Sequence, residues 1–398
     1  MKRLVLVFFL LFLAVMLIGC WNNRELSDLG IVMGMGIDKV PETNEFRVSF
    51  QVVNPGIGSV AMNGGGEGVP IIVYSETSPT LFGAVRKASQ KVSRQLFFAH
   101  SQIVIIGEEL AKEGIDPLFD FLDRAPELRL NSKLLVARGT DATSILKMLT
   151  PLEDISAKAL NKRVDISSSI FGKTINVNIA DTIRKLMGEG EPSINGIQIV
   201  GHPSQGILKS NLEQTELGAY LQLKGIALFK DGKLASWIDG DEEKGTLRVL
   251  NEMDGTVDNI ACEGIKEGIA IELVNSKTDI QVKVKDGQPV YSIHIREEGA
   301  IVESQCPIDM STREALIKLQ TQWEELTKEN VLKAVSDAKS KKSDIFGFAA
   351  ELERAKPSEW AELKKDWPDI FAEVEVSVKV EAFIRRIGMR VNPHHLKE

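Results

Sequence analysis

Few side chains here could do chemistry, and their spacing limits what they could do. The chain has three cysteines, Cys20, Cys262 and Cys306, and five histidines, of which only His394 and His395 are adjacent. Nucleophilic catalysis needs Ser, Cys or Lys beside a base, yet there is no Gly-x-Ser-x-Gly elbow, Cys-x-x-Cys or His-Glu-x-x-His run. Phosphate chemistry would need a Walker loop, also absent. Gly34-Met35-Gly36 lacks the third glycine and following helix of a dinucleotide site. Asp239-Gly240-Asp241-Glu242-Glu243 is dense in carboxylates, but its glycine is not at the sixth position of a calcium loop, so a solvated turn is expected. His100 follows Phe97-Phe98 with no nucleophile implied nearby and is expected to be structural. Trp323, Phe346, Phe348, Trp360 and Trp367 read as core anchors rather than a ligand stack. The spacing implies no enzyme, metal or cofactor.

Cys20 is different, because its setting matches a covalent modification. Lys2 and Arg3 precede Leu4 to Ile18, a run with no charge, which ends in Leu17-Ile18-Gly19-Cys20. A basic start, an apolar run and a small residue before the cut describe a secretory signal over residues 1–19. The ending resembles the lipobox of bacterial lipoproteins, in which a diacylglycerol is joined to the cysteine and cleavage makes it the first residue. The run is shorter than the roughly 20 residues of a membrane span. Two acyl chains at about 0.8 kcal/mol per buried CH₂ anchor a protein stably, where one does not. Everything after Cys20 is then expected outside the cytoplasm, tied to the outer face of the membrane.

Composition narrows the partners. The formal net charge is −8, and loss of Lys2 and Arg3 with the leader takes it to −10. With no concentrated basic face evident, nucleic acid is a poor partner. Anionic lipid would mildly repel the chain, so the lipid rather than charge is expected to hold it. A hydrophobic fraction of 43% with 26% charged residues is ordinary for a globular protein. Cys262 and Cys306 fit either a disulfide or two buried thiols.

Patterning supplies the frame. Leu29 to Asp38 reads as a buried strand, and the alternation Phe46, Val48, Phe50, Val52 as its hairpin partner. Asn54 to Val69 is a glycine-containing loop, and Ile71 to Tyr74 a strand. Thr80 opens a helix with Leu81, Phe82, Val85 and Ala88 inward, while Arg86, Lys87 and Lys91 lie off that stripe. A buried strand at Ile103 to Gly107, a helix from Ile115, a strand at Lys133 to Ala137 and a helix capped by Asp141 follow. Ser156 to Arg163 and Ile179 to Met187 are expected as helices, with a polar Ser167-Ser168-Ser169 stretch between them. An N-terminal α/β domain is thus expected over 20–201, a linker over 202–216, and a C-terminal α+β domain over 217–398. In that domain Lys230-Asp231-Gly232-Lys233 and Asp286-Gly287 signal hairpins. A long helix opens at Ser311, taken as cap with Glu314 at the capping-box position. Val374, Val376, Val378 and Val380 alternate along a last strand, giving an antiparallel sheet backed by the helix. The class is α+β.

These residues resemble the Ger(x)C family, the lipoprotein C subunits of bacterial spore germinant receptors. Four collinear stretches carry the likeness. The first joins Leu17-Ile18-Gly19-Cys20-Trp21 and Arg24-Glu25-Leu26 to Gly34-x-Gly36-Ile37-Asp38. The second is Phe98-Ala99-His100 leading into Ile105-Ile106-Gly107-Glu108-Glu109-Leu110-Ala111. The third is Leu223-Lys224-Gly225-Ile226-Ala227-Leu228-Phe229 with Lys233-Leu234. The fourth is Phe346-Gly347-Phe348, Pro357 with Trp360, and Trp367. Asn22 stands where the family usually has Asp, and the Gly64-Gly65-Gly66 loop looks particular to this chain.

The resemblance implies a non-enzymatic subunit with mixed α/β domains, lipid-attached through Cys20 on the outer face of the spore inner membrane. It implies two polytopic partners, of A and B type, and a need for the subunit in the germination response to nutrients. The alternative is a lipid-anchored solute-binding protein, with Gly30, Gly34 and Gly36 lining a cleft, although no two-lobe repeat supports it. A surface hydrolase lacks a nucleophile.

Overall fold

The structure is a computed structural model describing residues 3–4, 25–54, 68–125 and 127–387. Cys20, nearly all of the expected leader, the Gly64–Gly66 loop and the His394-His395 tail lie outside the described residues. In chain order come β1 (Leu29–Val40), β2 (Glu45–Val53), β3 (Ile71–Ser78), α1 (Leu81–Ala88), β4 (Gln95–Phe97) and β5 (Ile103–Gly107). Next are α2 (Glu108–Glu113), α3 (Asp116–Arg124), β6 (Lys133–Ala137), α4 (Ala142–Lys147), α5 (Ser156–Ile170), α6 (Ile179–Met187) and β7 (Ser193–Gly201). After α7 (Pro203–Gly206) come β8 (Ala219–Lys230), β9 (Lys233–Ile238) and α8 (Asp241–Val249). The remainder is β10 (Val257–Cys262), β11 (Ile265–Lys285), β12 (Gln288–Ser304), α9 (Arg313–Ser340), α10 (Phe348–Ala355), α11 (Pro357–Leu363), α12 (Trp367–Glu373) and β13 (Glu375–Arg386).

The first sheet runs β3-β2-β1-β5-β6-β7-β8-β9, with β4 paired to the start of β1. The segment β1-β5-β6-β7 is parallel, which explains the unbroken apolar run of β5. Ile103 and Ile105 meet α4 and α5 on one face, while Val104 and Ile106 join the core beneath α1, α2 and α3 on the other. Strands β8 and β9 pair antiparallel onto β7, so the sheet continues to Ile238. The 202–216 segment, expected as a linker, therefore joins two neighbouring strands of one sheet. The Ser167–Ser169 stretch also differs from expectation: it continues α5 to Ile170, with Ser168 and Ser169 hydroxyls bonding back to carbonyls three residues earlier.

The second sheet runs β10-β11-β12-β13. Its first three strands are antiparallel, but β13 lies parallel to β12, correcting the all-antiparallel expectation. The crossover containing α9 brings β13 back in that direction, as parallel pairing demands. Both hairpin signals hold: Asp231 and Gly232 have φ of 50° and 69°, Asp286 and Gly287 of 50° and 77°, as a tight primed turn requires. The cap of α9 falls one residue later than expected, on Thr312, whose hydroxyl accepts from the Ala315 amide. The Ser311 hydroxyl donates instead to Asp309, 2.6 Å away. Cys262 and Cys306 form a disulfide, with Cα atoms 6.2 Å apart.

A buried ion cluster joins α8, the second sheet and α9. Arg248 donates from Nε to Glu297 and from Nη2 to Asp258, both at 2.6 Å. Lys244 reaches Asp258 at 3.1 Å, and Trp323 and Thr327 of α9 each donate to one of the carboxylates at 2.9 Å. Burial opposes the charge on Arg248, but Asp258 and Glu297 overcome it and hold the guanidinium charged. The two halves meet at the turn before α10. There Lys185 donates to Ile345 O at 2.9 Å, the Glu191 amide to Asp344 O at 3.0 Å, and the Ser343 hydroxyl to Phe229 O.

Candidate functional site: a motif cluster at the strand ends

Parallel strands in open α/β sheets usually leave their binding crevice at the strands' carboxyl ends. Three of the four sequence stretches converge there. Asp38, near the end of β1, is buried and accepts hydrogen bonds from the Ala142 and Thr143 amides at 2.7 and 3.1 Å and from the Thr143 hydroxyl at 2.8 Å. It thereby satisfies the first amides of α4, which have no partner within the helix. Burial pushes the Asp38 carboxyl above its ordinary value, and these donors pull the other way. Gly107, at the end of β5, passes so close that a Cβ there would lie 2.1 Å from Asp38 Oδ1. Gly36 is closely packed but less constrained, since its Cβ would fall 3.0 Å from Leu146 and 3.1 Å from Ala142. Of the glycines that could have lined a cleft, Gly34 and Gly36 are thus covered by α4 and α5, and Gly30 packs beside Val52, Arg94 and Leu96.

Beside them, Glu108 accepts from the Gly139 amide at 2.6 Å and the Trp237 indole at 3.2 Å. Arg138, following β6, lies over the Trp237 ring at 4.7 Å and grips Asp239 with two bonds of 2.6 and 2.8 Å. This guanidinium holds the Asp239 carboxyl below its usual range. Gly225 of the third stretch has φ of +77°, and a Cβ would collide with Arg138 Nη1 at 2.5 Å. Its amide donates to Glu243 at 3.0 Å. Burial lifts the Glu243 carboxyl to about 7 despite Lys173 at 3.7 Å. The carboxylate-dense turn is therefore a set of ion pairs and backbone bonds. Among the described residues, no group of three His, Cys, Asp or Glu could hold a metal.

The fourth stretch is core. Asp344 accepts from the amides of Phe348 and Ala349 and from the Trp367 indole. Tyr291 stacks on Phe348 at 4.3 Å, and Trp360 meets Trp367 edge-on at 5.3 Å. Trp323 is fully buried with its indole on Asp258, as its core assignment anticipates. His100 is exposed and edge-on to Phe97. It borders a polar recess of about 520 Å³ with Ser101, Gln102 and Arg129, lined by no carboxylate among the described residues, so no acid–base pair is built. Sequence reasoning missed Asp38, Arg138 and Glu243 as a set. The signal available was a lone acid at the end of an apolar strand, with a Thr two residues after the Asp141 cap.

A larger groove lies away from this cluster, between α1 and α3. It encloses about 690 Å³ and is lined chiefly by apolar side chains, including Leu81, Phe82, Val85, Leu96 and Phe121. No described helix is long and apolar enough to cross a membrane.

Comparison with known proteins fits this architecture. The chain is 33% identical over 405 residues to spore germination protein KC of Bacillus subtilis, covering 100% of this chain and 99% of that protein. It is 27% identical to the putative spore germination protein YfkR of the same organism, over 92% of both chains. Spore germination protein B3 is 22% identical, over 95% of this chain and 96% of its own. The crystal structure of the GerBC protein superposes with a TM-score of 0.57 at 19% identity, over 88% of this chain and 97% of that one, which establishes the shared fold. Residues 22–199 match the spore germination protein N-terminal domain, and 224–388 the spore germination B3/GerAC-like C-terminal domain. With both domains matched in order along most of its length, the chain belongs to the GerAC-like family of spore germination proteins.

Proposed function

We propose that this protein is the lipid-anchored C subunit of a nutrient germinant receptor and works by assembly rather than by catalysis. It is held through a diacylglycerol on Cys20 at the outer face of the spore inner membrane, beside two polytopic subunits of A and B type. The observation that carries this reading is the use made of the motif residues. Asp38, Gly107 and Gly225 of the motif stretches are occupied by one another, by Arg138 and by backbone groups, so the residues that mark the family build a rigid body. Such a body suits a scaffold. Confinement to one membrane raises its effective concentration toward a membrane partner, so weak contacts suffice. Family membership over the whole chain supports the germination role.

Cys20→Ala tests the anchor. The variant should leave the membrane fraction or fail to mature, and wild-type processing and membrane retention would place the anchor elsewhere. Calorimetry with amino acids and sugars tests the mode of action. The isolated subunit should show no binding at micromolar nutrient, and binding at that level would favour a solute-binding protein.

A further inference from the structure

The groove between α1 and α3 has an unusual electrostatic setting. The chain carries a formal charge of −8, yet residues 77–107 contain Arg86, Lys87, Lys91 and Arg94 and no Asp or Glu. Two of these cations, Arg86 and Arg94, stand on one wall of the groove, while Lys87 and Lys91 beside them reach back to β3. Arg86 lies over the Phe82 ring at 4.7 Å, and Phe82 is 54% exposed at the mouth. Arg86 and Arg94 line the groove itself. Lys87 donates to Thr77 O at 2.9 Å, and Lys91 pairs with Glu76 at 2.7 Å. On the opposite wall Asp120 is paired with Arg124 at 2.8 Å, and Glu127 is the other acid. The α1 wall is thus a concentrated basic face, which overall charge had hidden.

Its position is as informative as its charge. Strand β4, directly after Arg94, pairs in parallel with Leu29–Ile31 at the start of β1, and a Cβ on Gly30 would lie 3.6 Å from that of Arg94. The basic wall therefore stands where the chain arrives from Cys20, nine residues before Leu29. Nine residues span at most about 30 Å. An exposed aromatic beside Arg and Lys, with an apolar recess behind them, is the composition of a surface that sits at a lipid headgroup layer.

We propose that the α1 wall and its groove form a membrane-docking face for anionic phospholipid. Arg86, Lys87 and Arg94 meet the headgroup phosphates, while Phe82 and the groove take apolar chain. The proposal rests on the anchor reading only for proximity to the bilayer. Docking would fix the orientation of the body above the membrane, which a flexible tether alone leaves free.

The test uses the full lipidated chain with vesicles of phosphatidylcholine, alone or with about one-third phosphatidylglycerol. Flotation reports attachment, and amide hydrogen exchange over residues 80–97 reports docking. Those amides should slow about tenfold with the anionic vesicles only. Each cation brought to such a surface contributes about fivefold to partitioning. Arg86→Glu with Lys87→Glu and Arg94→Glu should therefore abolish the slowing while the thermal midpoint holds. Phe82→Ser, at an exposed position, should weaken it independently. Flotation and slowing with anionic vesicles alone would support the face while removing the anchor. Equal exchange in both lipids, or slowing only when the polytopic subunits are added, would overturn the proposal, the latter assigning the face to protein contact.

Discussion

Replacing Glu243 by Gln isolates the effect of burying one carboxylate where α8 meets β8. The side chain accepts from the Gly225 amide, and burial outweighs Lys173 to lift its carboxyl from 4.5 to about 7. The folded protein therefore keeps a proton that the unfolded chain releases between these pH values. Its stabilising contribution is complete below about pH 4.5 and is lost as pH rises through about 7. At about 1.4 kcal/mol per pH unit, the separation amounts to roughly 3 kcal/mol by about pH 8. Gln does not ionise and still offers an oxygen to Gly225. The variant should thus match wild type within about 1 kcal/mol near pH 4.5 and exceed it by about 2–3 kcal/mol near pH 8. Urea unfolding followed by tryptophan fluorescence across that range measures the difference. A variant less stable than wild type by the same amount at both ends would mean that Lys173 keeps Glu243 charged, and the burial argument would fail.

Other substitutions probe the remaining joints. Asp38→Ala removes the acceptor for two α4 amides and a hydroxyl and should cost about 2–4 kcal/mol in denaturant unfolding. Arg248→Met leaves Glu297 buried without its counter-charge and Asp258 with Lys244 alone, and should cost about 3–5 kcal/mol by the same assay. Cys262→Ser with Cys306→Ser should lower stability by about 2–4 kcal/mol, since the bridge closes a separation of 44 residues. A reductant should lower the thermal midpoint of wild type and leave that double variant unchanged.

Local signals were legible where local physics decides the outcome. Asp-Gly pairs fixed both hairpins, because few other residues accept positive φ in succession. The Ser311–Glu314 capping signal marked the start of α9 to within one residue, and Thr80 and Asp141 marked their helix starts. Non-local pairing was not legible. Nothing in Ala219–Ile238 announces that it extends the first sheet, because β-pairing is set by partners distant in sequence. The parallel placement of β13 follows from a crossover, not from its valines. At the motif cluster the glycines were visible, but their reason was not. Gly107 and Gly225 are small because Asp38 and Arg138 arrive from other strands. The basic wall of α1 escaped notice because Arg86, Lys87 and Lys91 looked like a solvated helix face until β4 set Arg94 against the start of β1.

Affinity capture of the full-length protein from detergent-solubilised spore membranes, read by mass spectrometry, tests the assembly account most directly. The account predicts co-purification with two polytopic subunits encoded beside it. Recovery of the protein alone, under conditions that keep other membrane complexes intact, would contradict it.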